Sequence, residues 1–227
     1  MVTVRVPATT ANIGPGFDTF GCALQLYNTF TFAETASGLQ FSGCEEEFCN
    51  EENLAVVAYR CVMDALGLPM PGLSITIETG IPICRGLGSS ASLIAAGAAA
   101  ANALHGSPYT KLELLGICND IEGHPDNLAP ALLGGLVASY VDGGRPVAAR
   151  YSVHPKLRFT ALSPDFQLST PGPQRAAQNR ALCRRGIQRL PLRRAAQGHG
   201  GGQRRADPRR APRPAAPALP QQPYPRV

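Results

Sequence analysis

The segment that most constrains the fold is a predicted strand, a glycine- and serine-rich loop and a predicted helix in direct succession. Residues 73–79 alternate between apolar and polar side chains, which is typical of a half-buried strand. Residues 93–104 are almost all alanine, leucine and isoleucine, which predicts a buried helix. The loop between them reads Pro82-Ile83-Cys84-Arg85-Gly86-Leu87-Gly88-Ser89-Ser90-Ala91-Ser92. The sequence therefore predicts that this loop, called the phosphate loop below, ends at the first turn of a helix.

The phosphate loop has the chemistry of an anion site. The first turn of a helix has unpaired N–H groups and the positive end of the helix dipole. Gly86 and Gly88 allow positive φ and close approach to a phosphate, while Ser89 and Ser90 can cap the helix or offer hydroxyls to phosphate or metal. The loop has no lysine and is therefore not a Walker P-loop. An ordinary loop capped by serine is the alternative, so the loop alone indicates an anion but not a nucleotide.

A second polar cluster follows a predicted first strand at residues 3–7. It reads Ala8-Thr9-Thr10-Ala11-Asn12-Ile13-Gly14-Pro15-Gly16-Phe17-Asp18, a turn in which two glycines flank a proline. Such a turn places Asn12 and Asp18 at the surface, where they could reach a ligand. In the alternative interpretation, both side chains bond only to neighbouring backbone N–H groups.

A third cluster places four polar side chains beside glycine and proline, within the segment Glu122-Gly123-His124-Pro125-Asp126-Asn127. Glu122, His124, Asp126 and Asn127 could each bind metal or substrate. The alternative is a polar turn in which Asp126 or Asn127 caps the next short helix.

Patterns between these clusters predict an α+β domain. Asn53 and Gly67 bracket a helix over residues 54–66, and a capping box at Thr110 and Glu113 opens another that ends near residue 121. Further strands are predicted over residues 21–34, 39–42, 136–140, 147–153 and 157–162. The strands at 21–34 and 39–42 are expected to form an antiparallel pair. Antiparallel hairpins mixed with helices favour α+β over a doubly wound parallel sheet.

The three clusters together resemble homoserine kinases of the GHMP kinase superfamily. The phosphate loop is similar to their nucleotide-phosphate motif Pro-x-x-x-Gly-Leu-Gly-Ser-Ser-Ala, and residues 8–18 to their opening motif. Residues 124–131 are similar to their His-Pro-Asp-Asn-x-Ala-Pro-Ala segment, including the two glycines at 134 and 135. The resemblance covers residues 1–170 and implies a GHMP-kinase N-terminal ATP-binding lobe with a ribosomal protein S5 domain 2-like fold.

The resemblance implies ATP-dependent phosphorylation of L-homoserine to O-phospho-L-homoserine, a step in threonine biosynthesis. On this basis, residues 82–92 would hold the phosphates of ATP. Ser90 and Glu122 would be ligands of Mg²⁺, an ion that prefers oxygen ligands.

The same resemblance implies a homoserine pocket formed by the other two clusters. Asn12 would contact the homoserine hydroxyl and Asp18 its ammonium group, and these two are the expected catalytic residues. His124 and Asn127 would line the pocket. Asp18 is the one nearby carboxylate that could act as a base, but a role as substrate anchor is the preferred prediction.

Residues 171–227 differ in composition from the rest of the chain. They hold 13 Arg and one acidic residue, whereas residues 1–170 hold 8 Lys and Arg against 15 Asp and Glu. No hydrophobic period survives in this tail, so it is expected to build no core. The preferred interpretation is a shifted reading frame that leaves a second, ferredoxin-like lobe largely missing.

Two alternative functions follow from this tail. The chain could be an inactive kinase fragment that still binds nucleotide. It could instead be a nucleic-acid-binding protein with an arginine-rich tail, although nucleic acid is not the expected partner because the tail has no aromatic residue beyond Tyr224 and no known module. The sequence has no run of 18 apolar residues, which predicts a cytoplasmic protein without membrane contact. A homodimer is left open.

Overall fold

All six strands of the described region belong to one mixed sheet. The structure is a computed structural model that describes residues 1–161. The strands are β1 (Val2–Ala11), β2 (Phe20–Thr35), β3 (Leu39–Ser42), β4 (Gly72–Glu78), β5 (Leu136–Asp142) and β6 (Arg145–Tyr151). Their order is β3-β4-β2-β5-β6, and β1 pairs with β2. Every pairing is antiparallel except that of β3 with β4.

The long strand β2 organises the sheet. It pairs with β1 along residues 21–32, and its other edge is divided between β5 at residues 20–22 and β4 at residues 29–35. Residues 23–28 of that edge lie between β5 and β4. The chain that leaves β4 toward the phosphate loop passes this gap, where Gly80 N and Ile81 N donate to the side chain of Asn28 in β2.

Four helices cover one face of the sheet, and their ends follow local signals. They are α1 (Leu54–Leu66), α2 (Ser89–Leu104), α3 (Lys111–Glu122) and α4 (Leu128–Leu133). The Asn53 side chain accepts from Ala55 N at 3.0 Å, and α1 ends at Gly67 with φ 70°. At α3, Thr110 and Glu113 form the predicted capping box. A short 3-10 turn, Glu46–Phe48, precedes α1.

The core lies between the sheet and the helices. Phe30 and Phe32 of β2 are fully buried and stack in series with Tyr59 of α1. The helix α2 is buried along most of its length and packs closely on α1. The two helices are so close at Gly97 that a side chain there would overlap the carbonyl oxygen of Ala55. This packing holds the phosphate loop at a fixed end of a rigid helix.

The α+β class is confirmed, and the predicted bounds of β3 and α1 match the structure. The predicted antiparallel pairing of β2 with β3 is wrong. Instead β4 lies between them, and β3 runs parallel to β4 because α1 provides the crossover connection that parallel strands need. The strand predicted at 157–162 is also wrong over its described part, since residues 157–161 form no strand and are exposed.

The predictions for residues 171–227, including the missing second lobe, lie outside the described residues. Within residues 1–161, no helix has both the length and the apolar character that crossing a membrane requires.

Candidate active site

The phosphate loop is shaped by three residues with left-handed backbone conformations. Cys84, Gly86 and Gly88 have φ of 56°, 70° and 69°. Gly88 is the N-cap of α2 and has no side chain to occupy the helix end. The prediction that Ser89 or Ser90 caps α2 is wrong, because both lie inside its first turn. The N–H groups of that turn therefore face the loop without a side-chain cap, as an anion site requires.

The first turn of α2 meets the end of α3 through one hydrogen bond. Ser90 Oγ donates to Glu122 Oε2 at 3.1 Å, although the residues are 32 positions apart. Glu122 also lies close to the fully buried Cys118, whose thiol pKa is raised by burial first and by the Glu122 charge second.

The oxygens of Ser90 and Glu122 fit a magnesium ion. Neighbouring ligands of an octahedral Mg²⁺ at about 2.1 Å lie about 3.0 Å apart, close to the 3.1 Å between these two atoms. Across residues 1–161, no group of three or more His, Cys, Asp or Glu side chains is placed to hold a metal ion by itself. A site with one carboxylate matches the way Mg²⁺ binds when phosphates supply further ligands.

Thr9 links the phosphate loop to the third cluster. It is fully buried in β1, its N–H donates to Leu87 O at 3.0 Å, and its hydroxyl donates to Asn127 Oδ1 at 2.9 Å. A side chain at Gly88 would overlap this hydroxyl. Thr9 therefore brings Asn127 to the loop from 118 positions away.

The third cluster is organised by a buried carboxylate. Asp126 is 2% exposed, and its Oδ1 accepts from Asn127 N at 2.8 Å and lies 3.1 Å from His124 Nδ1. This contact favours a proton on Nδ1, which makes Nε2 the acceptor in a neutral imidazole. Asn127 is the N-cap of α4 and makes no side-chain capping bond, and the backbone N–H that bonds to Asp126 is that of Asn127, so neither residue caps α4 as the alternative predicts.

The second cluster forms a tight turn at the end of β1. Asn12 Oδ1 accepts from Asp18 N at 2.7 Å, and both residues have positive φ, 60° and 51°. This is the bond to a neighbouring backbone N–H group that the alternative interpretation predicts for Asn12. Both side chains are exposed, and the following Thr19 is tied to β5 through Ser139. The Asp18 carboxylate is therefore available to a ligand.

The structure thus brings Ser90 to Glu122, Asn127 to the phosphate loop, and Asn12 to Asp18. The sequence predictions missed two buried polar residues, Thr9 and Asn28. Asn28 is on the same face of β2 as Phe30 and is 3% exposed. A polar residue at an apolar position of an alternating strand was the signal that could have identified it.

Known proteins resemble this chain in sequence and in fold. Residues 53–135 match the family described as GHMP kinases N terminal domain. A homoserine kinase of Clostridium beijerinckii is 47% identical over 171 residues, which are 75% of this chain and 57% of that protein.

Two solved structures also resemble this chain. A homoserine kinase structure from Listeria monocytogenes has a TM-score of 0.57 and 36% identity, and covers 66% of this chain and 53% of that chain. A homoserine kinase structure from Cytophaga hutchinsonii has a TM-score of 0.56 and 25% identity, and covers 70% of this chain and 57% of that chain. The chain spans 57% of the length of the curated relatives it matches.

Proposed function

Because this chain contains the N-terminal domain of the GHMP kinases, we propose that it binds Mg-ATP and transfers the γ-phosphoryl group to the hydroxyl of L-homoserine. The observation that supports this most directly is the contact between Ser90 Oγ and Glu122 Oε2 at the start of α2. It places a magnesium-compatible oxygen pair beside uncapped helix N–H groups. An anion and its counterion can therefore bind at one point.

The phosphate loop supplies the anion contacts in this proposal. Its backbone N–H groups and those of the first turn of α2 bind the phosphates of ATP, with the helix dipole adding favourable charge. Ser90 and Glu122 would hold Mg²⁺, which would supply positive charge opposite the phosphoryl oxygens.

The homoserine contacts come from the other two clusters. The exposed Asp18 carboxylate binds the substrate ammonium, and Asn12 contacts the substrate hydroxyl. His124, oriented by Asp126, and Asn127, held by Thr9, line the same pocket. Because Thr9 bonds to both Leu87 and Asn127, it holds Asn127 beside the phosphate loop. These roles are assigned by resemblance to homoserine kinases.

Alignment and charge neutralisation are the main requirements of phosphoryl transfer, so the site needs no strong base. We assign Asp18 to substrate anchoring for this reason. The dependence on ATP and an amino-acid substrate favours the cytoplasm as the place of the reaction.

ADP release from Mg-ATP by the purified 227-residue chain, with and without L-homoserine, tests this proposal. We expect ADP formation that depends on L-homoserine and is absent when mevalonate replaces it. Ser90→Ala should lower the rate, whereas Ser107→Ala, a serine outside all three clusters, should not. A well-folded chain that shows no homoserine-dependent ADP release would refute the proposal, whether or not it binds Mg-ADP.

A second function, nucleotide binding without turnover, needs only the phosphate loop and the first turn of α2, which has no side-chain cap. Calorimetric binding of Mg-ADP by a chain that shows no homoserine-dependent ADP release would support this alternative.

A further inference from the structure

We propose that Asn28 is the positioning residue of the phosphate loop, because its side chain holds both ends of the loop. The proposal deepens the nucleotide site described above and rests on that proposed function. Asn28 does not contact the nucleotide in this proposal. It acts through the loop backbone, whose N–H groups it keeps in the arrangement that binds phosphate.

One end of the loop is held where β4 leaves the sheet. The last β2–β4 pair in the ladder is Thr29 with Glu78. Beyond this pair the Asn28 side chain replaces the ladder, since its Oδ1 accepts from Gly80 N at 2.8 Å and from Ile81 N at 2.9 Å. Gly80 lies so close to β2 that a side chain there would overlap Tyr27 O. The exit of the loop from β4 therefore has one defined path.

The other end of the loop is held through Ser92. Asn28 Nδ2 donates to Ser92 Oγ at 3.1 Å, and this hydroxyl donates to Ser89 O at 2.7 Å. Ser92 N also donates to Gly88 O at 2.9 Å. One buried amide is thus connected to the backbone at the first turn of α2 as well as to the exit from β4.

Core packing alone does not explain an amide at position 28. Asn28 is in phase with the fully buried Phe30 and Phe32, so a leucine would suit this position. Burying an amide is unfavourable unless it is hydrogen-bonded, and the bonds of Asn28 go to the two ends of one loop. A preorganised loop binds phosphate more tightly because it loses less conformational freedom on binding.

The test compares Asn28→Leu with a matched control, Asn102→Leu. Asn102 is also a buried asparagine, 7% exposed, and its side chain holds Tyr109 N at 2.9 Å and Tyr109 O at 3.0 Å. It lies near the opposite end of α2 from the phosphate loop. Both substitutions remove a buried amide that anchors a loop, but only the first affects the phosphate loop.

Two measurements are made on the 227-residue chain: Mg-ADP affinity by calorimetry and amide hydrogen exchange over residues 79–92. Asn28→Leu should weaken Mg-ADP binding about tenfold, or 1.4 kcal/mol, and accelerate exchange in this segment. Asn102→Leu should leave affinity within about twofold of the wild type and exchange in residues 79–92 unchanged. Equal effects of the two variants, or no effect of Asn28→Leu, would overturn the proposal.

Ser92→Ala decides the question if Asn28→Leu does not fold. This change removes only the branch to α2, so it should weaken Mg-ADP binding about threefold and accelerate exchange near residues 88–92. Unchanged affinity and exchange would overturn the role of Asn28. If the wild-type chain binds no Mg-ADP, the proposed function fails, and hydrogen exchange alone then decides whether Asn28 holds the loop.

Discussion

Replacing Gly88 with alanine should destabilise the protein through two separable effects. Gly88 has φ 69°, and a left-handed conformation costs an L-residue roughly 1–2 kcal/mol. The added methyl would also overlap the hydroxyl of Thr9, which is fully buried and bonded to Asn127. Overpacking of this kind costs about 1–3 kcal/mol. The free energy of unfolding should therefore fall by about 2–5 kcal/mol.

Gly67 provides a control for the backbone effect. It has φ 70° at the end of α1, and nothing lies within 4 Å of the position where a side chain would begin. Gly67→Ala should therefore lose only about 1–2 kcal/mol. The steric effect is isolated by Thr9→Ala, which leaves Thr9 Cβ as the nearest obstacle to the new methyl, at 3.2 Å. Gly88→Ala and Thr9→Ala should be coupled by at least about 1 kcal/mol.

Urea unfolding of the 227-residue chain, followed by circular dichroism, measures the stability of Gly88→Ala, Gly67→Ala, Thr9→Ala and the double variant with both the Gly88 and Thr9 changes. The steric argument requires a larger loss for Gly88→Ala than for Gly67→Ala. It also requires partial recovery in the double variant. Equal losses for the two glycine variants, or strictly additive effects of the Thr9 and Gly88 changes, would show that the contact with Thr9 is not what restricts position 88 to glycine.

Three further predictions concern charge and burial. Glu122→Gln should weaken Mg-ADP binding about tenfold in calorimetry, while ADP binding without Mg²⁺ changes less than about twofold. The free energy of unfolding should fall as the pH rises above 9, because burial raises the pKa of Cys44 from 9.0 to about 11 and also raises the pKa of Cys118. The native state then keeps protons that the unfolded chain releases. Urea unfolding from pH 7 to 10 should show this decrease, and Cys44→Ser should make it smaller. Tyr59→Phe should cost about 1–3 kcal/mol in thermal unfolding, because the buried hydroxyl donates to Glu34 at 2.7 Å; an unchanged melting temperature would contradict this.

Features determined by neighbouring residues could be predicted from the sequence. The bounds of α1 match because Asn53 caps one end and Gly67 adopts positive φ at the other, and both signals are local. The capping box of α3 and the position of the phosphate loop at a helix start were predicted for the same reason. Each cluster of site residues was also visible as a local departure from the apolar patterns around it.

The partners of distant segments could not be predicted in this way. The strand β3 pairs with β4 and not with β2, because the crossover through α1 brings it to the far edge of β4. The alternation of side chains defines which face of a strand is buried, but it does not say which strand lies beside it. The same limit explains why an antiparallel β2–β3 pair was expected.

The site itself is assembled by tertiary packing. Contacts between Ser90 and Glu122 and between Thr9 and Asn127 join residues 32 and 118 positions apart, and Asn28 reaches Ile81 across 53. The amino-acid types at these positions set which hydrogen bonds can form. Which of them do form depends on how α2 and α3 lie on the sheet, because a hydrogen bond requires its two atoms within about 3 Å and only the packed core brings them that close.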